Sequence, residues 1–101
     1  MLWRQGNLPA ALESYKAALA IMERLAAADP GNAGWQHDMA FSYGNVATVE
    51  ARQGSRDQAL SKFRNARDII ARLKVQSPDN VQLPKDLALF ESQIRALSAS
   101  R

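Results

Sequence analysis

The chain has 101 residues, of which 47% are hydrophobic and 23% are charged. This length allows one small domain, and the composition is that of a folded protein rather than a disordered one. The sequence contains no cysteine and one histidine, His37. Disulfides, thiolate catalysis, cysteine-ligated metals and a multi-histidine metal site within one chain are therefore excluded.

The net charge of +3 is unevenly distributed along the chain. Residues 1–50 contain three Lys/Arg and five Asp/Glu, which gives −2, whereas residues 51–101 contain ten and five, which gives +5. A charged partner could use this asymmetry. The sequence has no run of about 18 apolar residues and no basic segment followed by an apolar one at its start. We therefore expect no membrane span, no signal peptide and a cytoplasmic protein.

An internal repeat with a period of 48 residues organises the chain. The matches need no gap and fall at helical spacing, so the repeat predicts the fold. The repeated positions pair residues 4–6 with 52–54, Ala11-Leu12 with Ala59-Leu60, Ala18 with Ala66, Ile21 with Ile69, Arg24-Leu25 with Arg72-Leu73, Pro30 with Pro78, Asn32 with Asn80, and Asp38 with Asp86.

The first predicted helix covers residues 8–28. Asn7 is a favourable N-cap, and Pro9 lies in the first turn, where its missing N–H costs nothing. Pro30 ends the helix, since proline disfavours the α conformation at the residue before it. Its apolar positions recur at helical spacing and form one stripe: Ala11, Leu12, Tyr15, Ala18, Leu19, Met22 and Leu25.

The second predicted helix covers residues 33–53 and begins after Asn32, a second favourable N-cap. Two positions near its start carry polar groups that could suggest chemistry, His37 and Asp38. Adjacent residues point about 100° apart on a helix and do not face each other. We expect a solvated His37 and an Asp38 that favours the helix dipole. The apolar face of this helix comprises Trp35, Met39, Ser42, Val46 and Val49.

The third and fourth predicted helices cover residues 56–76 and 82–98, with Ser55 and Asn80 as N-caps and Pro78 in the turn between them. Short connections make neighbouring helices antiparallel. The predicted fold is all-α, a single domain over residues 1–101. Within it, residues 8–53 and 56–98 form two related helix pairs, and residues 1–5 match the end of a truncated repeat helix.

These residues resemble the tetratricopeptide repeat. Gly6 and Gly54 match the turn between a repeat's two helices, and Ala11 and Ala59 match the small residue at the helix crossing. The common repeat has 34 residues, so the 48-residue period is similar to a bacterial subtype with longer helices. Glu50 replaces a tyrosine that the family usually carries. The resemblance implies antiparallel hairpins stacked as a short α-solenoid of about four helices, and a non-enzymatic scaffold for protein–protein interaction.

The resemblance also implies a binding groove, because the first helix of each pair lines a concave surface in this family. The residues expected to bind a protein or peptide partner there are Phe41, Asn45, Thr48, Arg52 and Gln93. Asn45 matches an asparagine that some members use to hold a peptide's terminal carboxylate. The accompanying basic positions are Leu89 and Gln93 here, so a two-carboxylate clamp is not expected.

A basic strip on the third helix suggests alternative binding partners to a peptide in the groove. Arg56, Arg64, Arg67 and Lys74 fall within about 80° of one another at 100° per residue. They suit a solvated helix flank whose stems cover apolar surface, an acidic partner or, less well, nucleic acid. Few aromatic residues interleave them, which argues against base stacking. No arrangement marks a nucleophile, a general acid–base pair or a phosphate loop, so we expect no catalytic residue, no metal and no cofactor.

Self-association is a further expectation. The first predicted helix lacks most of an antiparallel partner before it, which would leave Leu12, Tyr15 and Leu19 of its stripe open. Exposed apolar faces of this kind usually find a partner. The sequence therefore predicts a homo-oligomer, with a two-fold dimer through end faces or exchanged helices as the first form and head-to-tail stacking as the alternative. The remaining alternative is a structural piece of a longer array with no private ligand.

Overall fold

Four helices make up the structure, a computed structural model that describes residues 7–99. Among these residues there is no strand, and the all-α prediction is confirmed. The prediction for residues 1–5 lies outside the described part. The helices are α1 (Leu8–Ala28), α2 (Ala33–Arg52), α3 (Arg56–Gln76) and α4 (Gln82–Ala99).

Two of the four predicted N-caps make the expected side-chain hydrogen bond and two do not. The Asn32 side chain accepts a hydrogen bond from the Trp35 backbone N–H at 3.0 Å, and Asn80 does the same for Gln82 at 3.0 Å. Asn7 and Ser55, also predicted as N-caps, make no such bond. Their ψ angles of 56° and 65° depart from the extended conformation that normally directs a capping side chain to the helix N–H groups.

The turn between α2 and α3 depends on Gly54, whose φ of +87° lies in the left-handed region. The Ser55 backbone N–H then reaches back to the Glu50 carbonyl at 2.8 Å and closes the last turn of α2. This is the glycine-terminated end that satisfies carbonyls left open at a helix C-terminus. A residue with a Cβ would be strained at position 54.

Each helix packs mainly against its neighbours in the sequence, and consecutive helices run antiparallel. The core centres on α3, which has seven buried residues where α1 has three. α3 lies between α2 and α4, so both of its sides are covered, whereas α1 packs mainly on α2. The core cluster consists of Ala40, Ala47, Ala59, Phe63, Ala66, Ile69, Ile70, Leu73, Leu83 and Phe90.

The open part of α1 differs from the prediction. Leu19 is 7% exposed, and Leu12 and Tyr15 are half-buried rather than open, because this side of the stripe packs on α2. Ala18 was expected within the stripe but is exposed, and Ile21 is 48% exposed. The uncovered apolar surface of α1 is therefore rotated from the expected one toward Ala18 and Ile21.

Candidate functional site

A concavity of about 230 Å³ lies between α2 and α4. Phe63 of α3 and Phe90 of α4 are 2% exposed and form its apolar floor. Asn45 and Gln93 are exposed and place amide groups at its edge. The remaining lining residues are Phe41, Gly44, Thr48 and Leu89.

Gly44 gives this concavity its shape. A Cβ built on Gly44 would lie 2.8 Å from Cε1 of Phe90, closer than two carbon atoms can approach. The Phe90 ring therefore lies directly over the backbone of α2. Phe41 contacts the same ring, with ring centroids 5.2 Å apart. The glycine makes room for the Phe90 ring against α2, and this ring forms part of the floor.

Four of the five predicted groove residues lie together in this concavity, namely Phe41, Asn45, Thr48 and Gln93. Arg52 does not line it, since the concavity extends along α2 only as far as Thr48. The Thr48 hydroxyl donates a hydrogen bond to the Gly44 carbonyl at 2.8 Å. Its hydrogen is thus held by α2 itself, and Asn45 and Gln93 are the other polar side chains of the lining.

The predicted basic strip is separate from the concavity, since none of its four residues lines it. Arg64 and Lys74 are exposed on α3. The Arg67 guanidinium donates to Asp68 at 3.1 Å, and Arg56 lines a shallow surface depression near Leu97. Asp68 offsets part of the positive charge, which weakens the strip as a phosphate-binding surface.

His37 makes a contact that the sequence interpretation missed, and the expectation of a solvated His37 was wrong. Its Nε2 lies 2.9 Å from Oδ2 of Asp86, a carboxylate on α4 that is 5% exposed. The Gln82 side chain donates to the other carboxylate oxygen at 3.0 Å. Asp86 therefore links α2 to α4. Adjacent-residue geometry could not reveal a pair 49 residues apart.

A second missed contact joins α2 to α3. Glu50 is 3% exposed, and the Lys62 ammonium lies 3.0 Å from its Oε1 and donates a hydrogen bond to its Oε2 at 3.1 Å. Burying a carboxylate is costly unless a cation and hydrogen bonds compensate it. The sequence did offer a signal for this contact. Glu50 stands where the resembled family has tyrosine, and a buried carboxylate needs a cation as a partner.

A third polar contact joins α1 to α2. The Tyr43 hydroxyl donates to Oε2 of Glu23 at 2.8 Å. Burial of the ring, together with this hydrogen bond and the nearby carboxylate charge, raises the pKa of Tyr43 from 10.0 to about 12. Each of these effects disfavours the tyrosinate. The contact stabilises the packing of α1 on α2 rather than a reaction.

Within residues 7–99, no three His, Asp or Glu side chains lie close enough together to hold a metal ion. None of the four helices combines the length and the apolar composition needed to cross a bilayer. The lining of the concavity offers apolar contact through Phe63 and Phe90 and amide groups through Asn45 and Gln93.

Comparison of the chain with protein-family models, with curated proteins and with solved structures gave no match.

Proposed function

We propose that this protein is a non-enzymatic scaffold that binds a segment of a partner protein in the α2–α4 concavity. The observation that carries the proposal is the apolar floor of Phe63 and Phe90 with the Asn45 and Gln93 amides beside it. Apolar contact gives affinity, and amides can satisfy the backbone of a bound peptide. The 48-residue repetition supports the further proposal that the chain is a long-helix tetratricopeptide-type protein.

The size of the concavity favours a peptide over a metabolite. Pockets that enclose small molecules have roughly 300–1,000 Å³, and this one has about 230 Å³. Such a volume accommodates one or two apolar side chains of a longer segment. The proposed ligand is therefore a peptide with an apolar anchor on Phe90 and a backbone that hydrogen-bonds to Asn45 and Gln93.

The test uses peptides selected from a random phage-displayed library against the intact chain. Asn45→Ala combined with Gln93→Ala should weaken binding of a selected peptide by at least about tenfold, or 1.4 kcal/mol. Both side chains are exposed, so helicity should not change. Phe41→Ala should weaken binding too, but it also removes ring contacts with His37 and Phe90. A thermal midpoint must accompany that variant.

The matched control is Gln58→Ala combined with Asn65→Ala, which removes two exposed amides from α3. Binding by this variant should match that of the parent chain. Equal binding by the Asn45→Ala/Gln93→Ala variant would reject the groove. Salt-sensitive binding to random oligonucleotides, lost on Arg64→Ala and Lys74→Ala, would instead favour the basic strip and a nucleic-acid module.

Self-association is the second proposed function, supported by a separate observation. Ile21 is 48% exposed beside the exposed Ala18, on a surface depression between α1 and α2. Apolar side chains that adjoin one another at a surface mark interaction sites when they form a patch. We propose that copies of this chain associate through this face. Sedimentation velocity over a concentration series tests the proposal, and a single monomeric species throughout would reject it.

A further inference from the structure

The α1–α2 helix pair and the α3–α4 helix pair present equivalent surfaces, but these surfaces differ in how far they are buried. In α3–α4, residues Ala66, Ile69, Asp86 and Phe90 are 0–5% exposed. They lie beneath α2, which contacts them through side chains such as His37 and Phe41. This surface is the seat on which α2 lies.

The counterpart of this seat is open on α1–α2. Subtracting 48 residues from the four seat positions gives Ala18, Ile21, Asp38 and Ser42. These four residues, with Met22, Phe41 and Asn45, line a depression of about 390 Å³. Among residues 7–99 no helix lies over it, since Ala18, Ile21 and Asp38 are all exposed. We call it the open seat.

We propose that the open seat binds α4 of a second copy of this chain, so that copies stack head to tail. α4 is the counterpart of α2, the helix that occupies the seat on α3–α4. The proposal deepens the self-association proposed above and rests on it. The open seat shares Phe41 and Asn45 with the concavity, so stacking and peptide binding are measured in separate assays.

Charge complementarity identifies α4 as the occupant. On the occupied seat, His37 of α2 approaches Asp86 at 2.9 Å. In the 48-residue repeat, the counterpart of His37 is Lys85 and the counterpart of Asp86 is Asp38. Lys85 and Asp38 are both exposed in the single chain. Stacking therefore places the Lys85 ammonium of one copy against the Asp38 carboxylate of the next, a pair of opposite charges in place of the imidazole and carboxylate.

Side-chain size agrees with the same arrangement. Phe90 packs on Gly44 in the occupied seat, where no Cβ would fit. At the open seat the counterpart of Phe90 is Ser42 and that of Gly44 is Ser92. A serine on the seat thus replaces the larger Phe90, and a serine on the incoming helix replaces the smaller Gly44. Leu89, which is 47% exposed on α4, takes the place of Phe41 and can bury its side chain against the seat.

One position limits the strength of the contact. Arg95 of α4 stands where α2 has Ala47, which is 0% exposed. An arginine cannot approach a neighbouring helix as closely as an alanine can, so this end of the incoming helix must stay further from α1. The stacking contact is consequently weaker than the packing of α2 on α3 and should be reversible. Because the two contacting faces differ, the contact is heterologous and leads to open chains rather than closed dimers.

The test is charge exchange, measured by sedimentation velocity of the full chain up to about 200 µM, where weak contacts are populated. Asp38→Lys or Lys85→Glu alone should weaken association by at least about tenfold, because each places like charges together. The double variant restores opposite charges and should recover association to within about threefold of the parent. Ile21→Asp should abolish it.

The control variants carry the same changes elsewhere on the surface. Lys74→Glu and Asp68→Lys reverse exposed charges on α3, and Val75→Asp alters an apolar residue that is 81% exposed. Association should survive all three. Association that is lost on Ile21→Asp but ignores the Asp38 and Lys85 changes would overturn α4 as the occupant and leave self-association through this face standing. Association that ignores all three changes would overturn both proposals. A chain that stays monomeric would overturn both.

Discussion

The α1–α2 helix pair and the α3–α4 helix pair share one pattern of residues and bury it differently. Ile69 is 5% exposed and its counterpart Ile21 is 48% exposed. Each lies three residues after an alanine, Ala66 or Ala18, so the local sequence pattern is the same. The difference arises because α2 covers the second pair and no described helix covers the first. A repeated sequence pattern therefore specifies a surface, and the neighbouring helix determines whether that surface becomes core.

The largest expected effect comes from truncating the two isoleucines. Ile69→Ala removes a buried side chain from the core and should lower the free energy of unfolding by about 2–5 kcal/mol. Ile21→Ala removes a half-exposed side chain and should cost less than about 1 kcal/mol. Urea unfolding at a concentration where the chain is monomeric measures both. Equal losses would show that the two faces are equally buried.

The polar links between helices provide the second contrast. Lys62→Ala leaves the Glu50 carboxylate buried without its cation and should cost about 3 kcal/mol, at the lower end for buried pairs since the Lys62 side chain is 24% exposed. Replacing both residues by methionine should recover most of the loss. The control is Lys16→Ala, which alters an exposed lysine of α1. A Lys62→Ala variant as stable as this control would contradict the buried pair.

Overpacking gives the third contrast, at the small residues. Ala66 is 0% exposed, so Ala66→Leu must displace its neighbours and should cost about 1–3 kcal/mol. Ala18 is exposed, so Ala18→Leu should change the free energy of unfolding by no more than about 0.5 kcal/mol. Thermal or urea unfolding of both variants decides the matter. A destabilising Ala18→Leu would mean that α1 is covered in solution.

The smallest effect concerns the Tyr43–Glu23 contact between α1 and α2. The raised pKa of about 12 for Tyr43 means that the neutral phenol is favoured in the folded chain. Its contribution to stability is fully present below pH 10 and is lost as the pH rises through about 12. Absorbance titration in a Tyr15→Phe background isolates this group. Glu23→Gln should lower the midpoint and Glu13→Gln should leave it unchanged. A parent midpoint near 10 would contradict the contact.

The helix boundaries were predictable because they depend on local chemistry. Proline and glycine end helices or turn the chain through their own backbone chemistry, as at Pro30, Pro78 and Gly54. The observed helix ends differ from the predicted ones by one residue at most. The groove residues came from the resemblance to the tetratricopeptide repeat, and four of the five lie together in the concavity.

What escaped prediction depends on contacts between helices. The His37–Asp86 and Lys62–Glu50 contacts join residues 49 and 12 positions apart, and only the packed structure brings them together. Ala18 and Ala66 occupy equivalent positions and differ in burial because of what lies above them. The repeat could specify the position of each residue on its helix but not the presence of a covering neighbour.

Cross-linking between separate copies tests most directly whether the open seat receives α4. The chain has no cysteine, so Ser42→Cys and Ser92→Cys introduce single, nearly isosteric thiols at the counterparts of Phe90 and Gly44. With a short thiol cross-linker, a mixture of the two variants should give a covalent dimer, and neither variant alone should. Ser61→Cys, on the exposed surface of α3, should cross-link with neither. A mixture no more reactive than this control, or a Ser42→Cys variant that cross-links with itself, would contradict head-to-tail stacking.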